Sequence, residues 1–494
     1  VFKSHLHIFD LAKSTKEVAF LSSVKGDYSY RDLDRFTGYF QEILKEHSDS
    51  LKWPVAFLSE SSDELVLAIA ACWRLGVPII PLNPKSNQKQ LEAQITALHP
   101  SLIFTDATNK DRFTGDDVIL LDKDFLESAL AFNYRDLELP DEALDENLIF
   151  GYFFTSGTTS SPKIVPLKRR QIISAAESSS LNFQPDPDHY WLLCLPLNHV
   201  GGITIILRSL IYGSAIYRMN EFNEQLVRSF LSEDDRFQAA SLVPTMLKRL
   251  MDESFFKTHK DFKAILLGGG PITESLIRKT AERGIPLVSS YGMTETCAQI
   301  AANAMLQPSG IYTPFRSVGR IFSPNEIQIR DENGKVVGRN ESGMIWLRGP
   351  QVFDGYYEAD NTLYFDEDGW FNTGDFGHLN AFNLLFIESR RTDLIITGGE
   401  NVNPHEVEHA IMELPHIKEA VVLGIPDDEW GQRITAFVTL SNGKKPELNE
   451  LRDALRDTLI DYKLPRELRI VDHIPKTTTG KVKRKQLYKL AGNF

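Results

Sequence analysis

The sequence predicts an α/β protein: a large N-terminal domain of two αβα-type layers plus a β-rich subdomain, then a small α+β C-terminal domain. Three observations carry this. Short apolar runs alternate with helix-period stretches over 54–121, the same alternation returns over 190–290, and the texture changes to alternating strands over 318–347. Short buried strands separated by capped helices read as βαβ units in a largely parallel sheet.

In the first layer an apolar strand at 55–58 precedes a helix at 63–75, a strand at 79–82, a helix at 88–98, and strands at 102–104 and 118–121. Ser61 or Ser62 suits the first helix's N-cap, and Gly76 supplies the left-handed residue that ends it. The second layer places strands at 190–195, 239–242, 264–267 and 287–290, with helices at 203–212, 245–252 and 273–283. Asn333-Gly334 signals a hairpin turn between strands at 326–330 and 343–347. Beyond these lie strands at 394–397, 420–423, 434–440 and 468–471 and helices at 404–414 and 448–459. The change of pattern alone sets the expected domains at 1–389 and 390–494.

Composition narrows the function. With 42% hydrophobic and 24% charged residues, the chain is neither disordered, collagen-like nor a coiled coil. A formal net charge of -13 opposes non-specific coating of nucleic acid, so an anionic ligand must be caught by a local site. Cys72, Cys194 and Cys297 are widely separated and form no CxxC pair, which fits a reducing compartment. A run of about 18 apolar residues is absent, and the first residues lack a signal-peptide core, so no membrane span and a cytoplasmic location are expected.

Five segments carry chemistry. Thr155-Ser156-Gly157-Thr158-Thr159-Ser160-Ser161-Pro162-Lys163 follows an apolar strand and offers backbone N–H groups, hydroxyls and one ammonium to phosphates. Pro162 breaks the Walker A frame, and an ordinary polar turn is the plain alternative. Gly268-Gly269-Gly270-Pro271 and Ser290-Tyr291-Gly292-Met293-Thr294-Glu295 each end a strand, where open α/β sheets bind ligands. Tyr291 can stack on a base, and Glu295 can hold Mg²⁺ that bridges phosphates. Asp375 can accept from a ribose diol, or sit in a surface Asx-turn. Lys481 lies in a polar loop beside Lys483, Arg484 and Lys485, which alone reads as a solvated charge run.

In this order, TSGTTSSPK, GGGP, YGMTE, GWFNTGD, SRRTDLIITGGENVNPHEVE and PKTTTGK resemble the acyl-adenylate-forming superfamily, over about 54–487. The resemblance implies a two-step reaction with ATP, Mg²⁺ and CoA on a small carboxylic acid: adenylation with release of pyrophosphate, then displacement of AMP by the CoA thiol. It implies that Thr155, Ser156, Gly157, Thr158, Thr159 and Lys163 contact the β/γ-phosphates. Gly269, Gly270, Pro271, Ser290, Tyr291, Gly292, Met293 and Thr294 surround the nucleotide, while Asp375 and Arg390 bind ribose. His199 resembles the residue that closes the acyl tunnel, and Gly398, Gly399 and Glu400 resemble the strip that lines the pantetheine channel. The C-terminal domain is expected to be mobile, turning about Arg391 and Thr392 to present Lys481 for the first step and the glycine strip for the second. Ser160 and Ile164 depart from the family's pattern and are expected to stiffen the phosphate loop or shift its contacts, and Ser389 departs from it just before Arg390.

Competing readings remain at this point. His405-Glu406-Val407-Glu408-His409 satisfies the HExxH pattern of zinc peptidases, although Pro404 suits a plain helix start. Ser160 and Ile164 leave room for a nucleotide-binding protein without activity, and an adenylating enzyme that dispenses with CoA is a further class. The intact Gly398-Gly399-Glu400-Asn401 strip favours CoA. Within CoA ligases, the stretches at 195–213, 265–271 and 290–299 resemble a branch whose acid carries an aromatic ring, a keto group and two carboxylates. Such an acid needs a partly apolar pocket and a cationic anchor for the carboxylate that is not activated, which the sequence does not place. Other aryl or medium-chain acids are the alternative.

Overall fold

The computed structural model describes residues 18–47, 53–133, 145–155, 163–187, 189–253, 255–270, 272, 274–303, 317–331, 333–389, 395–402, 404–441, 445–475, 482 and 484–492. Among the described residues, a six-stranded sheet runs in the order Val118–Leu120, Leu102–Thr105, Val55–Leu58, Ile79–Pro81, Ile149–Thr155, Lys163–Lys168. All its pairings are parallel except the last. A nine-stranded sheet follows the order Arg320–Ile321, Ala301–Ala302, Leu287–Tyr291, Ala264–Leu267, Phe237–Leu242, Tyr190–Leu193, Ala215–Arg218, Ala19–Ser22, Asp27–Ser29 and is parallel through its centre.

The two sheets share buried helices. Asp63–Leu75 is buried at every residue and packs on Val200–Tyr212, which is also buried almost throughout, as expected for helices with apolar residues on all faces. Ser62 Oγ caps the first helix by accepting from Leu65 N–H at 3.1 Å, and Gly76 ends it at φ 72°. Asp63, at the positive end of that helix, accepts from Arg218 Nε at 2.5 Å, with both side chains fully buried. This pair joins a helix of the first layer to a strand of the second.

A four-stranded antiparallel sheet, Glu326–Arg330, Gly343–Arg348, Phe371–Leu379 and Leu385–Ser389, forms the β-rich subdomain. Asn333-Gly334 does lie in a tight turn, with Gly334 at φ 80° and its N–H on Asp331 O. That turn leads back only to Val336, opposite Arg330, and residues 337–342 detour before Met344 pairs with Arg330.

The C-terminal unit is a sheet of Glu400–Val402, Ile395–Thr397, Gly431–Leu440 and Ile417–Asp427, with Glu467–Ile470 parallel to Gly431–Leu440. Helices Pro404–Met412 and Leu448–Leu455 share its core through Val407, Ile411, Leu451 and Leu455. The unit touches the N-terminal body at separate points: Asn87 Nδ2 donates to Thr458 O at 2.8 Å, and Lys248 Nζ donates to Asp428 O.

Candidate active site

Two neighbouring parallel strands, Ala264–Leu267 and Leu287–Tyr291, deliver the two nucleotide-type segments side by side. Gly269 takes φ 76°, a conformation that disfavours other residues. At Gly292 a Cβ would lie 1.5 Å from Ala298 O, so the chain folds tightly back on itself only with glycine there. Ser290 Oγ donates to Leu267 O at 3.1 Å and ties the strand ends together. Met293 N–H donates to Thr296 Oγ1 at 3.0 Å, which fixes the short turn Thr294–Thr296 that carries Glu295.

Asp375 is buried, not on a surface turn, and accepts from Tyr291 Oη at 2.7 Å. The residues expected at base and ribose are thus directly connected. Glu295 is buried too, and its Oε1 accepts from Tyr356 Oη at 2.7 Å. Burial raises the Glu295 pKa; the Tyr356 hydrogen bond and the Lys163 charge oppose this, while Asp375 adds to it. Lys163 opens the strand Lys163–Lys168 opposite Thr155, and its Nζ lies 4.6 Å from the Tyr356 ring centre and 4.0 Å from that of Tyr364. Ser156, Gly157, Thr158, Thr159, Pro271, Arg390, Arg391, Thr392 and Lys481 lie outside the described residues.

His199 occupies the N-cap position of the buried helix Val200–Tyr212 without a side-chain capping hydrogen bond, and the helix begins three residues earlier than the sequence predicts. Gly202 allows this, because a Cβ there would meet Pro196 O at 2.3 Å. Across the two units His199 Nε2 donates to Glu400 Oε2 at 3.0 Å. Packing around the ring lowers the His199 pKa, but the Glu400 hydrogen bond and charge outweigh it and the net shift is upward. Burial raises and His199 lowers that of Glu400, for a net downward shift. Gly398 and Gly399 hold φ 59° and 87°, and a Cβ on Gly399 would come 3.3 Å from Val243. The strip therefore lies against the N-terminal body at Val243.

The HExxH segment forms the helix Pro404–Met412, but both Glu406 carboxylate oxygens accept from Lys463 Nζ, at 2.8 and 2.7 Å. Glu408 Oε1 accepts from Val422 N–H at 2.9 Å. The side chains of His405 and His409 lie outside the described residues. Among the described residues no group of three or more His, Cys, Asp or Glu could hold a metal. Of the residues expected to hold a cation, the described site offers one buried carboxylate, Glu295, a hard oxygen donor of the kind Mg²⁺ takes.

Two functional candidates escaped the sequence reading. Arg208 is 2% exposed, and its Nε and Nη2 have no hydrogen-bond partner. It shares a helix face with Gly201 and Thr204, and a Cβ on Gly201 would meet only Leu195 Cδ1, at 3.9 Å. One arginine within VGGITIILRSLIY is the signal that could have exposed it. Tyr356 is the other; no motif marks it.

Paired strand-end glycine segments, a buried carboxylate beside a lysine, and a second unit docked over them define a nucleotide-activating α/β enzyme. The chain belongs to the AMP-binding enzyme family: the model for AMP-binding enzymes matches residues 10–357, and that for the AMP-binding enzyme C-terminal domain matches 406–481. It is 34% identical over 436 residues to the 2-succinylbenzoate–CoA ligase of Listeria monocytogenes serotype 4b (strain F2365), covering 88% of each chain. It is 32% identical to that of Bacillus pumilus (strain SAFR-032), covering 93% of this chain and 92% of the other. Among solved structures, a double mutant of o-succinylbenzoate CoA synthetase from Bacillus subtilis bound to the product analogue OSB-NCoA has a TM-score of 0.88, with 30% identity and 98% of each chain covered. The Bacillus subtilis enzyme in complex with the acyl-adenylate intermediate OSB-AMP has a TM-score of 0.72, with 30% identity and 97% of each chain covered.

Among the described residues no helix is long and apolar enough to cross a membrane.

Proposed function

We propose that the protein is an AMP-forming 2-succinylbenzoate:CoA ligase, with menaquinone biosynthesis as its setting. The observation that carries this is the likeness of the chain, over most of its length, to relatives of one named activity. In the first step a carboxylate oxygen attacks the α-phosphorus and pyrophosphate leaves. In the second the CoA sulfur attacks the acyl carbon, the thiol proton is lost, and AMP leaves. A carboxylate is a poor electrophile, and the mixed anhydride supplies the leaving group that thioester formation needs.

The residues divide this work. Asp375 accepts from the ribose hydroxyls and, through Tyr291, stays in register with the base. Thr155 and Lys163 open the phosphate side, and Lys481 is the cation brought in for adenylation. Glu295 would hold Mg²⁺, which would neutralise charge on the phosphates and on departing pyrophosphate. Preformed donors and cations placed where charge develops lower the barrier without reorganisation during the reaction.

For the second step, Gly398, Gly399 and Glu400 line the thiol's approach, and Glu400 holds the His199 ring through its hydrogen bond. The higher likeness to the OSB-NCoA complex, 0.88 against 0.72 for the OSB-AMP complex, supports assigning this domain arrangement to thioester formation. We assign the domains to 1–389 and 390–494 from the change of pattern along the sequence. Arg208 supplies the cationic anchor: its unpaired donors in an apolar helix suit the acid's second carboxylate.

A panel of carboxylic acids with ATP, Mg²⁺ and CoA tests the reading. Turnover is expected with 2-succinylbenzoate and to be far weaker with benzoate or octanoate; the reverse order would reassign the protein to another aryl or medium-chain acyl-CoA ligase.

A further inference from the structure

Lys163 is the described cation of the phosphate loop, and its surroundings are unusual for such a residue. Its ammonium lies over two aromatic faces, Tyr364 at 4.0 Å and Tyr356 at 4.6 Å, and the rings meet edge to face with centres 4.7 Å apart. Tyr356 is clamped from below: its N–H donates to Asn361 Oδ1 at 2.7 Å, its ring packs on Phe353 with centres 4.8 Å apart, and its hydroxyl donates to Glu295 Oε1. The segment carrying both tyrosines is joined to the site at two further points, Phe353 N–H to Glu295 O at 2.9 Å and Tyr357 N–H to Ile164 O at 3.0 Å. One short stretch of chain therefore fixes the metal-type carboxylate and the phosphate-type lysine together.

We propose that Tyr356 and Tyr364 form an aromatic cradle that pre-positions the Lys163 ammonium for the nucleotide's β/γ-phosphates and keeps it from closing onto Glu295. This rests on the adenylating reading above. An aromatic face attracts a cation without using its N–H groups, so all three remain free for phosphate oxygens. A carboxylate partner would consume those donors and occupy the oxygen that Mg²⁺ needs. Tyr356 also holds one Glu295 oxygen, so the carboxylate that would hold Mg²⁺ is fixed in place. Both tyrosines are positioning residues; neither needs to touch substrate.

Tyr364 is the residue to vary, because it is only partly buried and its hydroxyl has no role in the cradle. In the unliganded protein, trace acetylation of lysines followed by peptide mass spectrometry reads the freedom of Lys163 against Lys260, whose side chain is 90% exposed. The Tyr364→Leu variant should raise Lys163 labelling relative to Lys260, and Tyr364→Phe should restore protection. In acid-dependent ATP–pyrophosphate exchange, Tyr364→Leu should raise KM for ATP by about 2- to 30-fold, the range of one cation–π contact. Tyr364→Phe should recover most of that loss, while thioester formation from supplied acyl-adenylate stays far less affected than exchange. Equal Lys163 labelling in wild type and Tyr364→Leu, or equal KM in the Leu and Phe variants, would overturn the cradle. Absence of exchange in the wild type itself would instead overturn the adenylating reading, and the labelling comparison would still decide the cradle.

Discussion

At the scale of single residues, a buried charge is the most demanding feature of the site. Arg208 is the sharpest case. A guanidinium with unpaired donors in an apolar helix is costly unless a ligand completes it, and a charge-assisted hydrogen bond contributes about 1.5–3 kcal/mol. Replacing it with leucine should lower kcat/KM for 2-succinylbenzoate by about 10- to 100-fold, given roughly 1.4 kcal/mol per decade. Benzoate, which has no second carboxylate, should lose little, and steady-state kinetics on the two acids make the check. The His199–Glu400 contact gives a pH dependence. The His199 pKa is raised in the docked form, so its contribution is whole below the free imidazole value of about 6.5 and is lost as pH climbs past the raised value. Glu400 is shifted down, so its share persists into acid and fails only below the ordinary glutamate range. Energy transfer between fluorophores on the two units should report docking that weakens at alkaline pH, and Glu400→Gln should flatten that dependence.

At the scale of elements, the sequence was most legible where local and tertiary preferences agree. Asp63–Leu75 and Gln88–Leu98 occupy the predicted spans, the first because Ser62 and Gly76 are strong punctuation and the second with an Asn87 cap that the structure adds. The helix at His199 was read too short, since Val200, Gly201 and Gly202 have weak helix propensity and the burial that overrides it is tertiary. The Asn333-Gly334 turn was found, but its detour through 337–342 was not, because the register there is set by partner strands. Tyr356 was invisible for a similar reason: its partners Glu295 and Lys163 are distant in sequence. Motif spacing marked the strand-end segments that begin at Gly268 and Ser290, and Gly292 shows why the second is strict. Gly292→Ala should destabilise the fold by about 1–3 kcal/mol or more through steric conflict with Ala298, read as a lowered midpoint in urea denaturation.

At the scale of the whole molecule, two chemical demands pull against each other. Adenylation calls for a cation at the phosphates, whereas thioester formation calls for an open path for the thiol, and one fixed arrangement cannot satisfy both. The docked strip, the His199–Glu400 contact and the contacts of Asn87 and Lys248 with the C-terminal unit describe one of two needed arrangements. On the proposed reading, Lys481 acts in the other. The measurement that tests this most directly is to follow the two half-reactions separately in the Lys481→Ala variant. The account predicts that acid-dependent ATP–pyrophosphate exchange is abolished while thioester formation from supplied acyl-adenylate and CoA continues near the wild-type rate. Equal loss of both half-reactions would contradict it.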